Sequence, residues 1–205
     1  MSERGRFITF EGIDGSGKST HLDAVVQALR TRGVTALLTR EPGGTPLGES
    51  LRELVLNQPM TRETETMLMF AARAEHLAKI IRPALAASHW VLCDRFTDAT
   101  YAYQAGGRGL DERAIAELEQ WVHPDLQPDL TILFDVAPEV AAQRLSQARS
   151  ADRFEAEPLA FFGAVRAMYL KRAAANPARF VVVDGAQPQD AVRDQLDHLM
   201  RQWNG

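Results

Sequence analysis

Gly12, Gly17, Lys18 and Ser19 fit the spacing G-x-x-x-x-G-K-[ST], with Thr20 directly after. Residues of these types at this spacing hold phosphate. The backbone N–H groups of Gly12-Ile13-Asp14-Gly15-Ser16-Gly17 can point inward at phosphate oxygens, and glycine lets the chain wrap that closely. Lys18 then reaches the β- and γ-phosphates, the Ser19 hydroxyl is placed for Mg²⁺, and the following helix adds its N-terminal dipole. The motif gains its meaning from a strand before it and a helix after it. Both are present: Phe7-Ile-Thr-Phe10 precedes the turn, and Leu22, Val25, Val26 and Leu29 mark one face of an amphipathic stretch behind it. A flexible Gly-rich linker would have no need of the Lys-Ser-Thr ending.

A second group stands at the end of another apolar run. Trp90-Val-Leu-Cys93 leads into Asp94-Arg95-Phe96. An Asp at a strand end is where phosphate-loop proteins place the carboxylate on the Mg²⁺ side. Arg95 beside it can grip a second anion with two parallel N–H donors. Taken alone, the pair reads equally well as a surface ion pair. A phosphate loop on a neighbouring strand favours function, because both groups then converge on one crevice.

The remaining elements must position these groups. Short apolar runs at residues 7–10, 34–39, 90–93, 130–134 and 180–183 read as strands. Helical patterns alternate with them at 18–31, 46–57, 61–87 (with a bend expected near Pro83), 111–122, 138–146, 158–175 and 188–203. Such alternation predicts an α/β fold with a parallel five-stranded sheet and helices on both faces. Ligands in such sheets bind beyond the carboxyl ends of the strands, which gathers residues 11–20, 40–45, 94–104, 135–137 and 184–186 along one edge. The polar stretch 147–158 reads as a short lid.

Length and composition set outer bounds. A chain of 205 residues fits a single domain, 1–205, and 45% hydrophobic with 24% charged residues is ordinary for a globular protein. A net charge of −4 gives no global basic field to hold a nucleic-acid polymer. The lone Cys93 cannot form an internal disulfide, and residues 1–6 lack the apolar core of a signal peptide. No apolar run approaches membrane-spanning length, so a cytoplasmic protein is expected. His21, His76, His89, His123 and His198 show no metal-ligand spacing and no partner Cys, which limits expected metal binding to Mg²⁺.

Several strings together resemble the thymidylate kinase family. They are Glu11-Gly-Ile-Asp-Gly-Ser-Gly-Lys-Ser-Thr20, Thr39-Arg-Glu-Pro-Gly-Gly-Thr45, Phe70-Ala-Ala-Arg73, Asp94-Arg-Phe-Thr-Asp-Ala-Thr-Tyr-Ala-Tyr-Gln104 and Asp152-Arg-Phe-Glu155. The resemblance runs from residue 7 to about residue 185, with the motifs in family order, and implies a phosphate-loop NTPase-like fold. It implies ATP·Mg²⁺ as donor, dTMP as acceptor, dTDP and ADP as products, and a homodimer formed through the helices between residues 61 and 122. Asp14 matches the loop carboxylate near the sugar 3′-hydroxyl, while Arg40 and Arg95 match groups around the dTMP phosphate, and Pro42 belongs to the implied substrate-binding set. Phe70 and Arg73, three apart on a helix, match an aromatic platform for thymine and a donor to its carbonyl. Some family members space the aromatic four residues before the Arg, where this chain has Met69. Thr100, Tyr103 and Gln104 match base and sugar positions, with Tyr103 placed against a ribose 2′-hydroxyl. Some relatives carry a basic residue in the phosphate loop, where this chain has Gly15. The catalytic positive charge is then expected from Arg149 and Arg153 of the lid, which complete an expected catalytic set with Lys18, Arg95 and the carboxylate of Asp94. Arg144, on the preceding helix, is a weaker candidate.

Two other readings share the phosphate loop. A deoxynucleoside kinase would need a base beside a 5′-hydroxyl, whereas Arg40 and Arg95 suit an acceptor that already carries a phosphate. A nucleotide-dependent switch protein would need a guanine-reading Asn-Lys-x-Asp motif, which the sequence lacks.

Overall fold

The computed structural model describes residues 4–146 and 153–203. Arg149 lies outside the described residues. Five parallel strands, β1 (Phe7–Glu11), β2 (Ala36–Arg40), β3 (Trp90–Asp94), β4 (Leu130–Asp135) and β5 (Phe180–Asp184), lie side by side in the order β2-β3-β1-β4-β5. β1 is wholly buried and β4 nearly so, as strands covered on both faces must be. Because side chains alternate along a strand, Ile8 and Phe10 face one layer while Phe7 faces the other. The first layer is built by Leu22, Val25, Val26 and Leu29 of α1 (Lys18–Thr31) with Val192, Leu196 and Met200 of α9 (Gln189–Gln202). On the opposite face lie α2 (Pro46–Asn57), α7 (Pro138–Leu145) and α8 (Leu159–Ala175). There Val55, Phe162, Val165 and Tyr169 share a cluster with Leu133. β1 pairs with β3 on one side and β4 on the other. The strand order reverses beside it, and the crevice for a ligand opens at its carboxyl end.

The long helical stretch expected from residue 61 to 87 is one continuous run with an altered pitch. α3 (Arg62–His76) passes through a π-helical turn, Leu77–Ile81, into α4 (Arg82–Ala86). The N–H of Arg82 reaches back to the Leu77 carbonyl, a widened turn directly before Pro83. Proline has no N–H and its ring crowds the carbonyl four residues earlier, so widening the turn accommodates it.

A second π-helical segment matters more. α5 (Thr97–Thr100) continues as Tyr101–Gly107, followed by α6 (Glu112–Val122). This segment packs closely on α8: a Cβ on Gly107 would run into the Phe161 ring. The glycines at the end of the segment therefore let two backbones approach, and that approach fixes Tyr103 and Gln104 at the crevice.

Candidate active site

The phosphate loop turns between β1 and α1 with Gly15 at φ 79° and Gly17 at φ 94°, backbone angles that glycine adopts without strain. A Cβ on Gly15 would sit 2.5 Å from the Ala141 carbonyl oxygen of α7, so this arrangement leaves no room for a side chain there. Lys18 is buried, and its Nζ donates to the Gly12 carbonyl at 3.1 Å and that of Ile13 at 3.4 Å. Burial and the nearby Arg95 push its ammonium below the ordinary range, against the opposing pull of Asp94, Asp14 and Glu11. Ser19 and Thr20 are exposed at the mouth, in a cleft that also takes in Arg40, Asp94, Arg95 and Arg144. This donor cleft runs along the first turn of α1.

Arg95 is the hub of the site. Its backbone adopts φ 72°, a left-handed conformation costly for a residue with a Cβ. Hydrogen bonds hold it there: Arg95 N–H donates to the Phe10 carbonyl at 3.0 Å, and Phe96 N–H to Glu11 Oε1 at 2.8 Å. The guanidinium then reaches four groups. Nη1 donates to the Gly12 carbonyl at 2.9 Å and the Tyr169 hydroxyl at 3.1 Å; Nη2 donates to Asp14 Oδ1 at 2.7 Å and the Tyr103 hydroxyl at 3.1 Å. Tyr103 also donates to Asp14 Oδ2 at 2.7 Å. Burial alone would raise the Asp14 carboxyl, but Arg95, Lys18 and the Tyr103 hydroxyl hold it below the usual carboxylate range.

Beyond Arg95 opens a second cleft, lined by Pro42, Met69, Arg73, Phe96, Thr100, Tyr103 and Gln104 among others. Arg73 is buried there in a fixed pose. Its Nε donates to Glu41 Oε2 at 2.7 Å and its Nη2 to Thr100 Oγ1 at 3.0 Å. Glu41 Oε1 lies 3.0 Å from His76 Nδ1, and His76 Nε2 lies 2.7 Å from Thr39 Oγ1. Burial pushes the Glu41 carboxyl up, yet Arg73 and His76 hold it below its ordinary range. The Arg73 guanidinium lies 4.7 Å from the Phe70 ring centre and 5.2 Å from that of Phe96. Arg73 Nη1 is buried and has no partner among the described residues.

Phe70 does not line this cleft. It packs in a core cluster with Tyr101, Ala105 and Ile115, supporting Arg73 from beneath, while Met69 stands on the wall. The aromatic ring that lines the cleft beside the Arg is that of Phe96, which follows β3. Arg40 also departs from expectation: it lines the donor cleft only, exposed and paired with Glu49 at 2.7 Å. Arg153 is turned away from the phosphate loop, donating to the Val55 carbonyl at 2.9 Å and Glu65 Oε2 at 2.6 Å. Arg144, the weaker candidate, does reach the loop. Its Nη1 donates to the Gly185 carbonyl at 2.9 Å and more weakly to that of Gly15 at 3.5 Å. The absence of a Cys partner for histidine in the sequence likewise fails in space, since His76, Glu41 and Cys93 have ligand atoms within 4.8 Å of one another. Arg73 already occupies that carboxylate, so the cluster is satisfied as an ion-pair network.

Asp14, Glu41, Arg52 and Arg95 line both clefts and form the wall between them. Two clefts that meet at a pair of guanidiniums can bring two phosphates together. A family model described as thymidylate kinase matches residues 10–196. The chain belongs to the thymidylate kinase family. It is 59% identical over 202 residues to a thymidylate kinase of Bordetella pertussis, covering 98% of this chain and 97% of that one. To a thymidylate kinase of Methylobacillus flagellatus it is 56% identical over 200 residues, with 98% of each chain covered. A crystal structure of thymidylate kinase from Ehrlichia chaffeensis superposes with a TM-score of 0.77 at 35% identity, covering 96% of this chain and 99% of that one. As a thymidylate kinase, the chain is a nucleoside-monophosphate kinase.

For a thymidylate kinase, the sequence reading left out Glu41, Arg52, His76 and Glu65. Arg52 donates through Nη1 to the Pro42 carbonyl at 3.1 Å, bracing the Arg40–Thr45 loop from α2. Nothing in local spacing separates it from an ordinary surface Arg on a helix. Glu41 and Glu65 are set apart by buried charge, and burial is not visible in the spacing of residues.

Proposed function

We propose that the chain transfers the γ-phosphoryl group of ATP directly to the phosphate of dTMP, giving ADP and dTDP. The observation that carries this reading is the wall of Arg95, Arg52 and Asp14 between the two clefts. Donor phosphates rest on the loop Gly12–Thr20 with Lys18. The dTMP phosphate meets Arg95, with Arg52 beside it and Arg40 at the donor-side mouth. Thymine enters between Phe96, Met69 and Pro42, within reach of Arg73, Thr100 and Gln104. Asp14 faces the sugar 3′-hydroxyl, and Tyr103 stands where a ribose 2′-hydroxyl would come. An acceptor phosphate oxygen needs no base to activate it, so positioning and charge stabilisation carry the rate. One P–O bond to the β–γ bridging oxygen breaks as the acceptor oxygen bonds to phosphorus.

The residues at the donor cleft suit Mg²⁺. Asp94 Oδ1 is buried without a partner among the described residues, and the Ser19 hydroxyl is exposed at the same cleft. These are hard oxygen donors with space for waters and phosphate oxygens around them. Mg²⁺, bound with ATP, would be held by Ser19 and through water by Asp94, and would neutralise charge on the transferring phosphates. We assign Arg149 and Arg153, of the 147–158 stretch, to the same charge, with Arg153 giving up its bond to Glu65 to reach it.

We further infer a cytoplasmic homodimer, supported by apolar side chains exposed on the helices between residues 61 and 122: Met67 is 56% exposed and Trp121 82%. No helix among the described residues is long and apolar enough to cross a membrane. ADP release measured with dTMP, dCMP, AMP, GMP and thymidine tests the activity. Turnover with dTMP far above the other monophosphates is expected. Phosphorylation of thymidine but not dTMP would overturn it. Rejection of dUMP is expected to be modest, because one methyl group contributes only about 1–3 kcal/mol.

A further inference from the structure

Glu65, on α3, is 1% exposed, and it touches neither cleft. Its two oxygens are divided between two functions. Oε1 accepts from Gln104 Nε2 at 2.8 Å, and Oε2 accepts from Arg153 Nη2 at 2.6 Å. Arg108 Nε lies 3.5 Å from Oε1. A carboxylate between two guanidiniums has only acceptors to offer. The NH₂ end of the Gln104 amide is therefore committed to Glu65, and the carbonyl end is the one left for the cleft that Gln104 lines. On its own an Asn or Gln amide can present either end; here its neighbour decides.

We infer that Glu65 is a positioning residue for base selection, acting through the orientation of Gln104. This rests on the dTMP reading above. The cleft that Gln104 and Arg73 line then offers one acceptor, the Gln104 carbonyl oxygen, and one donor, Arg73 Nη1, which is buried with no partner among the described residues. A pyrimidine with a 4-oxo group and an N3–H offers the complementary pair. Cytosine offers the reverse, an NH₂ at position 4 and a bare acceptor at N3, and leaves both protein groups opposed by like partners. Buried polar groups left unpaired are what make such rejection strong.

The test is the ratio of kcat/KM for dTMP to that for dCMP, measured on the full-length protein. Glu65→Gln replaces a group that can only accept by one that can present either end, freeing Gln104 to turn its NH₂ into the cleft. The ratio is expected to fall by about 10-fold or more, as for the loss of one hydrogen-bond preference. In the swapped variant, Glu65→Gln with Gln104→Glu, the acceptor-only group itself faces the cleft, and the ratio is expected to return to within about threefold of wild type. A general loss of packing or of lid function would lower both activities and leave the ratio alone. A ratio unchanged in Glu65→Gln, or not restored in the swap, overturns the inference. Melting curves check that each variant folds. If Glu65→Gln alone does not fold, the swap carries the test, and a collapsed ratio there is the overturning result. If turnover is too slow to read, the ratio of Kd values for the two nucleotides replaces it. Wild-type protein inactive on dTMP would defeat the dTMP reading itself, which keeps the two failures apart.

Discussion

Arg153 donates to Glu65 across 2.6 Å, tying the lid side of the molecule to α3 while the phosphate loop lies elsewhere. For Arg153 to meet a transferring phosphoryl group, this bond has to be exchanged for one to phosphate. Arg144 is already beside the loop, 3.5 Å from the Gly15 carbonyl and anchored on that of Gly185 at 2.9 Å.

The arginines therefore divide in a measurable way. Arg149→Ala and Arg153→Ala are each expected to lower kcat, and together to approach the roughly 10³-fold lower end of what an arginine finger contributes. Arg144→Ala is expected to lower kcat and to raise KM for ATP, because it sits in the donor cleft. Steady-state kinetics with each nucleotide varied in turn gives both numbers. Values of kcat near wild type in Arg149→Ala and Arg153→Ala would remove the lid from the mechanism.

Glu11 gives a pH prediction. It is fully buried, accepts from Phe96 N–H and from the Tyr169 hydroxyl, and is pushed up to about 8 chiefly by burial, with Asp98 adding. A carboxyl raised on folding keeps a proton that the unfolded chain has released. Its stabilising contribution is whole below the ordinary value of 4.5, declines as pH rises through that window, and is gone above about 8. Glu11→Gln stays neutral throughout and can still accept from Phe96. The Tm of the wild type is expected to fall relative to that of Glu11→Gln between pH 5 and pH 8. Parallel Tm curves for the two proteins would contradict the assignment.

Glu41 is expected to be the most sensitive position for stability. It faces Arg73 at 2.7 Å and His76 at 3.0 Å, and all three side chains are at most 3% exposed. Glu41→Ala strands a buried guanidinium, a change that costs about 3–5 kcal/mol. Urea denaturation measures it, and a loss under about 1 kcal/mol would show that water or another acceptor replaces the carboxylate.

Assembly is open to a direct test. Trp121 and Met67 are the exposed large apolar side chains on α6 and α3. Charged substitutions, Trp121→Arg with Met67→Glu, are expected to shift the protein from dimer to monomer in sedimentation. A sedimentation profile identical to that of the wild type would place the interface elsewhere.

Much of this was legible in the chain. The phosphate loop could be read because its chemistry is local: backbone N–H groups, a Lys and a hydroxyl act within nine residues, Gly12 to Thr20. The five strands and the edge that gathers the ligand-facing loops followed from alternating apolar runs, since the rule for parallel sheets is itself about order along the chain. Three things were decided only by packing. Phe70 and Met69 differ by one residue, a rotation of about 100° on a helix, and the neighbouring Tyr101–Gly107 segment determines which of them meets the cleft. The π-helical segment lies so close to α8 that a Cβ at Gly106 or Gly107 would run into Met168, Ala164 or Phe161. The partners of Arg73 and Gln104, at Glu41 and Glu65, lie 32 and 39 residues away along the chain. A residue's type and spacing show what it can bind. Which of its donors and acceptors remain for substrate depends on what has already been paired in the folded core, and only the tertiary structure sets that.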